Sequence, residues 1–243
     1  MRLAIVSDVH GNLSALEAVV GDVEAAGPDL VLHGGDLVLM GPRPAEVADL
    51  MRELGWPGVV GNTDEVLWRP EIRSSELEQQ MPKLAPLLRL IFDQYAPATR
   101  ELLGEERIAW LRELPEERRE GELLLLHAGP GDLWRAPLPE ATDEELLDTY
   151  GGLDAATVVY GHIHRPYVRE LPELTVANSG SVGMPFDGDW RASYLLIEDG
   201  VPELRRVEYD LEREIADLEA VGYPDAERLG EIRKRAEFIR PAP

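Results

Sequence analysis

Apolar residues along the chain alternate between short continuous runs and stretches at helical spacing. Residues 3 to 7 form a run that stops at Asp8, and Leu13, Leu16, Val19, Val20 and Val23 then mark a helix between Asn12 and Ala26. Gly27-Pro28 breaks that helix. A second run at 29 to 33 ends in Gly34-Gly35-Asp36, and a helix over about 44 to 54 leads through Pro57 into a third run, Gly58 to Gly61, before Asn62. Strands alternating with helices predict an α/β sheet that is largely parallel at its start. From Trp68 to Leu114 the pattern becomes helical and rich in Glu, Leu, Arg and Gln, interrupted by prolines, which predicts a helical excursion or cap at about 68–114. Runs at 122–126, 156–160, 166–171, 174–178, 192–198 and 202–208 predict closely spaced strands, antiparallel or mixed. The charged tail from Leu211 reads as helix and is expected on the outside.

With 243 residues, 44% of them hydrophobic, the chain is long enough for one domain of ordinary size, expected to span 1–243. Its 24 basic and 47 acidic residues leave a charge of -23, which repels nucleic-acid backbones and anionic membranes. Long nucleic acid and membrane are therefore not expected partners. A small phosphorylated substrate remains compatible, because bound divalent cations can reverse the sign of a local field. The absence of cysteine excludes disulfides, thiolate metal sites and cysteine nucleophiles. The N-terminal apolar run is too short for a signal peptide, so a cytoplasmic location is expected.

The chemistry sits at the ends of the apolar runs. Asp8 and His10 follow the first, Asp36 the second, Asn62 the third, His127 the fourth, and His162 with His164 the fifth. Open α/β sheets bind ligands beyond the carboxyl ends of their strands. Residues two apart in an extended strand end face the same side, so each closely spaced pair can serve one cleft. Alone, each piece has a plain structural use: Gly-Asp is a turn signal, and a single histidine at a strand end commonly makes a hydrogen bond. Seven such residues in order are a site. Carboxylate, amide and imidazole donors suit manganese, iron, zinc, cobalt or nickel, with manganese preferred, and seven ligands divide between two ions ~3.5–4 Å apart, Asp36 being the candidate bridge. His33 reads as a core histidine or a support for a ligand.

The series Asp8-x-His10, Gly35-Asp36, Gly61-Asn62, His127 and Gly161-His162-x-His164 resembles the ordered motifs of the calcineurin-like metallophosphoesterase superfamily. Asn178-Ser179-Gly180-Ser181-Val182-Gly183-Met184-Pro185 and Gly41-Pro42-x-Pro44 extend the likeness to its small prokaryotic phosphodiesterase branch. The resemblance implies a four-layer α-β-β-α sandwich carrying a helical insertion. It also implies one metal on Asp8, His10, Asp36 and His164, and a second on Asp36, Asn62, His127 and His162.

Where that family commonly has histidine after the asparagine ligand, this chain has Thr63, followed by Asp64. A hydroxyl donates a hydrogen bond but is no acid near neutral pH, so a contribution of ~10²–10⁴-fold is absent. Asp64 is expected to orient a ligand. The expected activity is phosphodiester hydrolysis by a hydroxide bridging two metals, with Asp36, Asn62 and His127 as catalytic candidates. Thr63, Arg43 and Arg165 are candidates for substrate contact. Hydrolysis of nucleotide pyrophosphates, dinucleoside polyphosphates or monoesters is the enzymatic alternative, and a metal-binding scaffold, with or without self-association as a homo-oligomer, is the non-enzymatic one.

Overall fold

In the computed structural model, which describes residues 1–70 and 75–241, nine strands form two sheets. In chain order they are β1 (Arg2–Val6), β2 (Leu30–His33), β3 (Glu117–Glu120), β4 (Leu123–Leu126), β5 (Thr157–Tyr160), β6 (Tyr167–Leu171), β7 (Leu174–Asn178), β8 (Ala192–Glu198) and β9 (Val201–Val207). One sheet has the order β2-β1-β8-β9 and the other β3-β4-β5-β7-β6. Pairing is parallel for β1 with β2, β4 with β5 and β5 with β7, and antiparallel elsewhere.

The helices are α1 (Leu13–Ala26), α2 (Pro44–Leu54), α3 (Asn62–Glu65), α4 (Ser75–Gln80), α5 (Ala85–Leu90), α6 (Ala96–Leu103), α7 (Glu105–Leu111), α8 (Asp143–Tyr150), α9 (Leu211–Ala220) and α10 (Ala226–Arg235). Strand alternation sorts their packing. Leu3 and Ile5 of β1 meet Leu123 and Leu125 of β4 in a core between the sheets. Their neighbours turn the other way. Ala4 and Val6 pack with α1, α2 and α6, whereas Leu124 and Leu126 pack with Leu146 and Tyr150 of α8. The layers therefore run α-β-β-α, and strands buried on both faces account for the unbroken apolar runs.

Three expectations need revision. The third apolar run makes a single bridge, His33 to Gly58, instead of a strand. It is too short to extend further, since the Val60 amide already turns to the Pro115 carbonyl at 2.8 Å. The tail is not merely external, because Leu218, Leu229, Ile232, Glu214 and Arg233 are all buried. Strand β3 and helix α8 were also not anticipated. The Glu-Arg-Arg-Glu sequence of β3 has no apolar pattern, while α8 is announced only by a capping box between Thr142 and Glu145.

The excursion is helical where described, and residues 71–74 lie outside the described residues. Pro86 stands in the first turn of α5, where the missing amide costs nothing, whereas Pro97 lies within a continuous helical run. A π-helical turn, Ile91–Tyr95, joins those two helices. No helix among the described residues is long and apolar enough to cross a membrane.

Candidate metal centre

Beyond β1 and β2 the chain continues as two loops that pair side by side. The amides of Asp8, His10 and Gly11 donate to the carbonyls of Gly35, Asp36 and Leu37 at 2.9–3.0 Å. This pairing sets Asp8, His10 and Asp36 along one edge. His127 follows β4, and His162 and His164 follow β5, so the second sheet supplies three imidazoles opposite. Asn62 opens α3 between them.

The backbone at these positions is unusual. Asp8, His10, Asp36, His162 and His164 all have φ between 50° and 65°, in the left-handed region that side chains disfavour. Each such residue costs roughly 1–3 kcal/mol and persists only where its surroundings fix it. Those surroundings are visible. The Ser181 hydroxyl and the Gly183 amide both donate to the Asp8 carbonyl, at 2.7 and 3.0 Å. Asn178 donates to the Gly161 carbonyl at 2.6 Å, and the Met184 carbonyl accepts from His164 Nδ1 at 2.6 Å. The Asn178–Pro185 segment thus braces the ligand loops from behind. Glycine is required at 183, where a Cβ would lie 1.8 Å from the Val9 carbonyl oxygen.

Four imidazoles are oriented by the same device. Nδ1 of His10, His127 and His164 donates to the carbonyls of Leu39, Gly34 and Met184, and Nε2 of His162 donates to that of Trp134. A proton fixed outward leaves the other nitrogen's lone pair facing inward. Nε2 of His10 and Nε2 of His164 then lie 3.1 Å apart, and His164 Nε2 is 3.1 Å from Asp8 Oδ1. Asn62 Oδ1 stands 2.8 Å from His127 Nε2 and 3.0 Å from His162 Nδ1. Asp36 reaches both groups, with Oδ2 3.7 Å from His10 and Oδ1 3.6 Å from His127.

Lone pairs face lone pairs throughout this cluster. Ligand atoms of Asp8, His10, Asp36 and His164 fall within 4.8 Å of one another, all buried. The donor set fits divalent cations, which would satisfy the acceptors that face inward. Burial, followed by the neighbouring imidazole charge, lowers His10 to about 4 and His162 to about 4. At His127 burial works downward too, but the carboxylates of Asp36 and Asp8 prevail and its pKa is raised. Burial likewise opposes the charge on Asp8, yet the surrounding histidines hold its carboxyl well below the usual range.

Other residues singled out from the sequence are placed as follows. Asp64 accepts from the amides of Leu37 and Gly61 at 2.9 and 3.2 Å, tying the Asp36 loop to α3. Thr63 donates its amide to Asp36 Oδ1 at 2.9 Å, while its buried hydroxyl has no protein partner. Arg43 is paired with Asp217 at 2.8 Å, and Arg165 with Glu140, so neither guanidinium is held ready for substrate. His33 is wholly buried at the end of β2 with neither ring nitrogen hydrogen-bonded among the described residues, and burial lowers it to about 4. Trp134 escaped the sequence reading. Its carbonyl orients His162, its indole nitrogen is buried without a partner, and it lies on the wall of the cavity above the ligands. It stands in an irregular loop, where no periodicity marks it.

Two stacked sheets holding carboxylate, amide and imidazole donors at their strand ends define a metal-dependent hydrolase of phosphoric esters. Comparison with known proteins gives its family. Residues 1–199 match the calcineurin-like phosphoesterase superfamily domain, and the chain belongs to that superfamily. An uncharacterized protein of Methanocaldococcus jannaschii is 30% identical over 234 residues, covering 87% of this chain and 89% of the relative. Phosphodiesterase YfcE of Escherichia coli is 28% identical over 214 residues, covering 83% and 89%. The crystal structure of a metallophosphoesterase from Sphaerobacter thermophilus superimposes with a TM-score of 0.77 at 26% identity, covering 97% of this chain and 99% of that one. The family implies divalent metal ions.

Proposed function

We propose that the chain hydrolyses phosphodiesters with two divalent ions, manganese being preferred. Asp8, His10, Asp36 and His164 hold one ion, and Asp36, Asn62, His127 and His162 hold the other. The observation that carries this reading is the tautomer control: four imidazoles each donate one ring N–H to a backbone carbonyl and aim the other nitrogen's lone pair at the same centre. Two bound ions would supply a nucleophile from water near neutral pH and positive charge opposite the phosphoryl oxygens.

The chain's own residues do the rest. Asp36 links the two ligand groups, and its position is fixed by the Thr63 amide. The unpartnered Thr63 hydroxyl is a donor for a phosphoryl oxygen. Because no histidine follows Asn62, the reaction favours esters whose leaving group needs little protonation. A diester suits that limit, and the phosphodiesterase name of the Escherichia coli relative supports the same choice.

The test is a panel with added manganese: an aryl phosphodiester, an aryl monoester, a cyclic nucleotide and a dinucleoside tetraphosphate. Preferential turnover of the diester is expected. Faster monoester or tetraphosphate hydrolysis would reverse the assignment, and two bound metals without any turnover would favour the scaffold reading.

A further inference from the structure

We propose that the substrate is a phosphate diester carrying an aliphatic chain, and that the helical excursion supplies the chain's binding surface. The inference rests on the phosphodiesterase reading above and names its substrate class. Its basis is the cavity into which His10, Asp36, Asn62, His162 and His164 open. One end is the ligand cluster. The opposite wall is Met81, Leu84, Leu87, Leu88 and Ile91, all from the excursion.

Aromatic carbon begins directly at the ligands. The Phe186 ring stacks on the His164 imidazole with centroids 4.4 Å apart, and Phe238 meets Phe186 edge to face at 5.7 Å. A substituent leaving the phosphorus would pass from the metal ligands directly onto aromatic and aliphatic carbon. Leu84 and Leu87 are only half-buried, which leaves apolar surface for a ligand to cover.

Polar groups on the wall are few. Apart from the ligands, the polar residues among the described ones on the wall are Thr63, Trp134 and Arg228. Arg228 already donates to Asp225, to the Tyr95 hydroxyl and to the Ile239 carbonyl. Among the described residues the cation of the wall is thus tied to protein acceptors, and a polyphosphate chain would bring charge to a largely apolar wall. A nucleoside would bury base and sugar hydrogen-bonding groups with hardly anything to answer them. The unpartnered Thr63 hydroxyl and Trp134 indole N–H are enough for one phosphate. An alkyl chain requires only the carbon surface that is present.

Hydrolysis adds water across one P–O bond: the water oxygen bonds to phosphorus, and the alcohol departs with the ester oxygen and a proton. The chain belongs to the retained substituent, so a reporter can occupy the other. Methyl, butyl, hexyl and octyl p-nitrophenyl phosphates therefore share one leaving group and differ only in the chain. With manganese-loaded protein, kcat/KM is expected to rise about fourfold per methylene over the length the cavity holds, the factor equivalent to ~0.8 kcal/mol per buried CH₂. The 5′-thymidine p-nitrophenyl diester is expected to be slower than the octyl ester. Equal rates along the series, or a preference for the thymidine ester, would overturn the proposal.

A binding measurement separates this failure from failure of the phosphodiesterase reading. Titration calorimetry of the loaded protein with ethyl, butyl and octyl phosphate is expected to show affinity climbing with chain length and an increasingly negative heat-capacity change. That trend without turnover would remove the activity and keep the apolar site. Turnover without the trend would do the reverse. Leu87→Asn is expected to lower the octyl-to-methyl ratio at least tenfold, and an unaltered ratio would count against the excursion as the binding surface.

Discussion

The guanidinium of Arg233, on the last helix, donates to the Met40 carbonyl at 2.9 Å, directly behind the loop that carries Asp36 and next to the carbonyl of His10. Glu214 on α9 stands 3.1 Å from Arg233 Nε, and both side chains are completely buried. The tail thus reaches inward to hold the floor of the metal centre. Arg233→Met removes one member of this pair and is expected to cost up to about 3–5 kcal/mol, because Glu214, already pushed up to about 8 by burial against the pull of Arg233, keeps its burial and loses its main counter-charge. Combining it with Glu214→Leu is expected to recover most of the loss. Urea unfolding of chelated protein measures both, and equal stability of single and double variants would show that the two residues are not coupled.

Asp36 has no room to move. A Cβ at Gly61 would sit 2.0 Å from Asp36 Oδ1 and 2.3 Å from its amide nitrogen. Gly61→Ala is expected to reduce bound manganese by at least one ion per chain and turnover by about a hundredfold or more, beyond the range for residues that merely support a ligand. Metal analysis and diester kinetics check it. Gly21→Ala, in open space within α1, is the contrasting case and should stabilise the protein by about 0.5–1 kcal/mol.

Much of this was readable from residue order. Asp8, Asp36, His127 and His162 each end an apolar run, and alternation forces such runs into a sheet with the ligands at its edge. What could not be read is whatever depends on side chains from distant segments. The role of Arg233 follows from packing across more than 190 residues, and the Trp134 carbonyl acts through backbone geometry that leaves no residue-type signal. Arg43 and Arg165 follow ligand motifs closely, yet nearby carboxylates claim them. Leu84, Leu87, Leu88 and Ile91 are plain as a helical apolar pattern, but the sequence does not say what they face.

Thr63→Val removes the hydroxyl while keeping the amide that holds Asp36. Since Thr63 Oγ1 has no protein partner, the melting temperature is expected to hold. The catalytic loss should be about tenfold in kcat/KM, matching one hydrogen bond of ~1.4 kcal/mol, and Thr63→Ser should restore most of it. A lower melting temperature with unaltered kinetics would assign the hydroxyl a structural use.

The metal-free protein should respond to acid in a set direction. His10 is held near 4 by burial and by His164, against 6.5 for an ordinary imidazole. Between those values the unfolded chain binds the extra proton and the folded chain does not, so His10 makes stability rise with pH and level off above about 6.5. Asp64 pulls oppositely, burial and Asp36 raising it to about 7. Comparison with His10→Gln isolates the imidazole. In chelator, the stability of the native protein relative to this variant is expected to grow by up to about 1.4 kcal/mol per pH unit across that window. A constant difference would mean that His10 is charged when folded.

Asp8 Oδ1 and His164 Nε2 are 3.1 Å apart, although one stands at the edge of each sheet. Neither sheet holds a complete set of donors, so the nearest pair around one ion exists only while the two sheets are packed on each other. Activity thereby reports that the two halves have met, and a proteolytic cut that lets them part would extinguish it at a distance from every ligand.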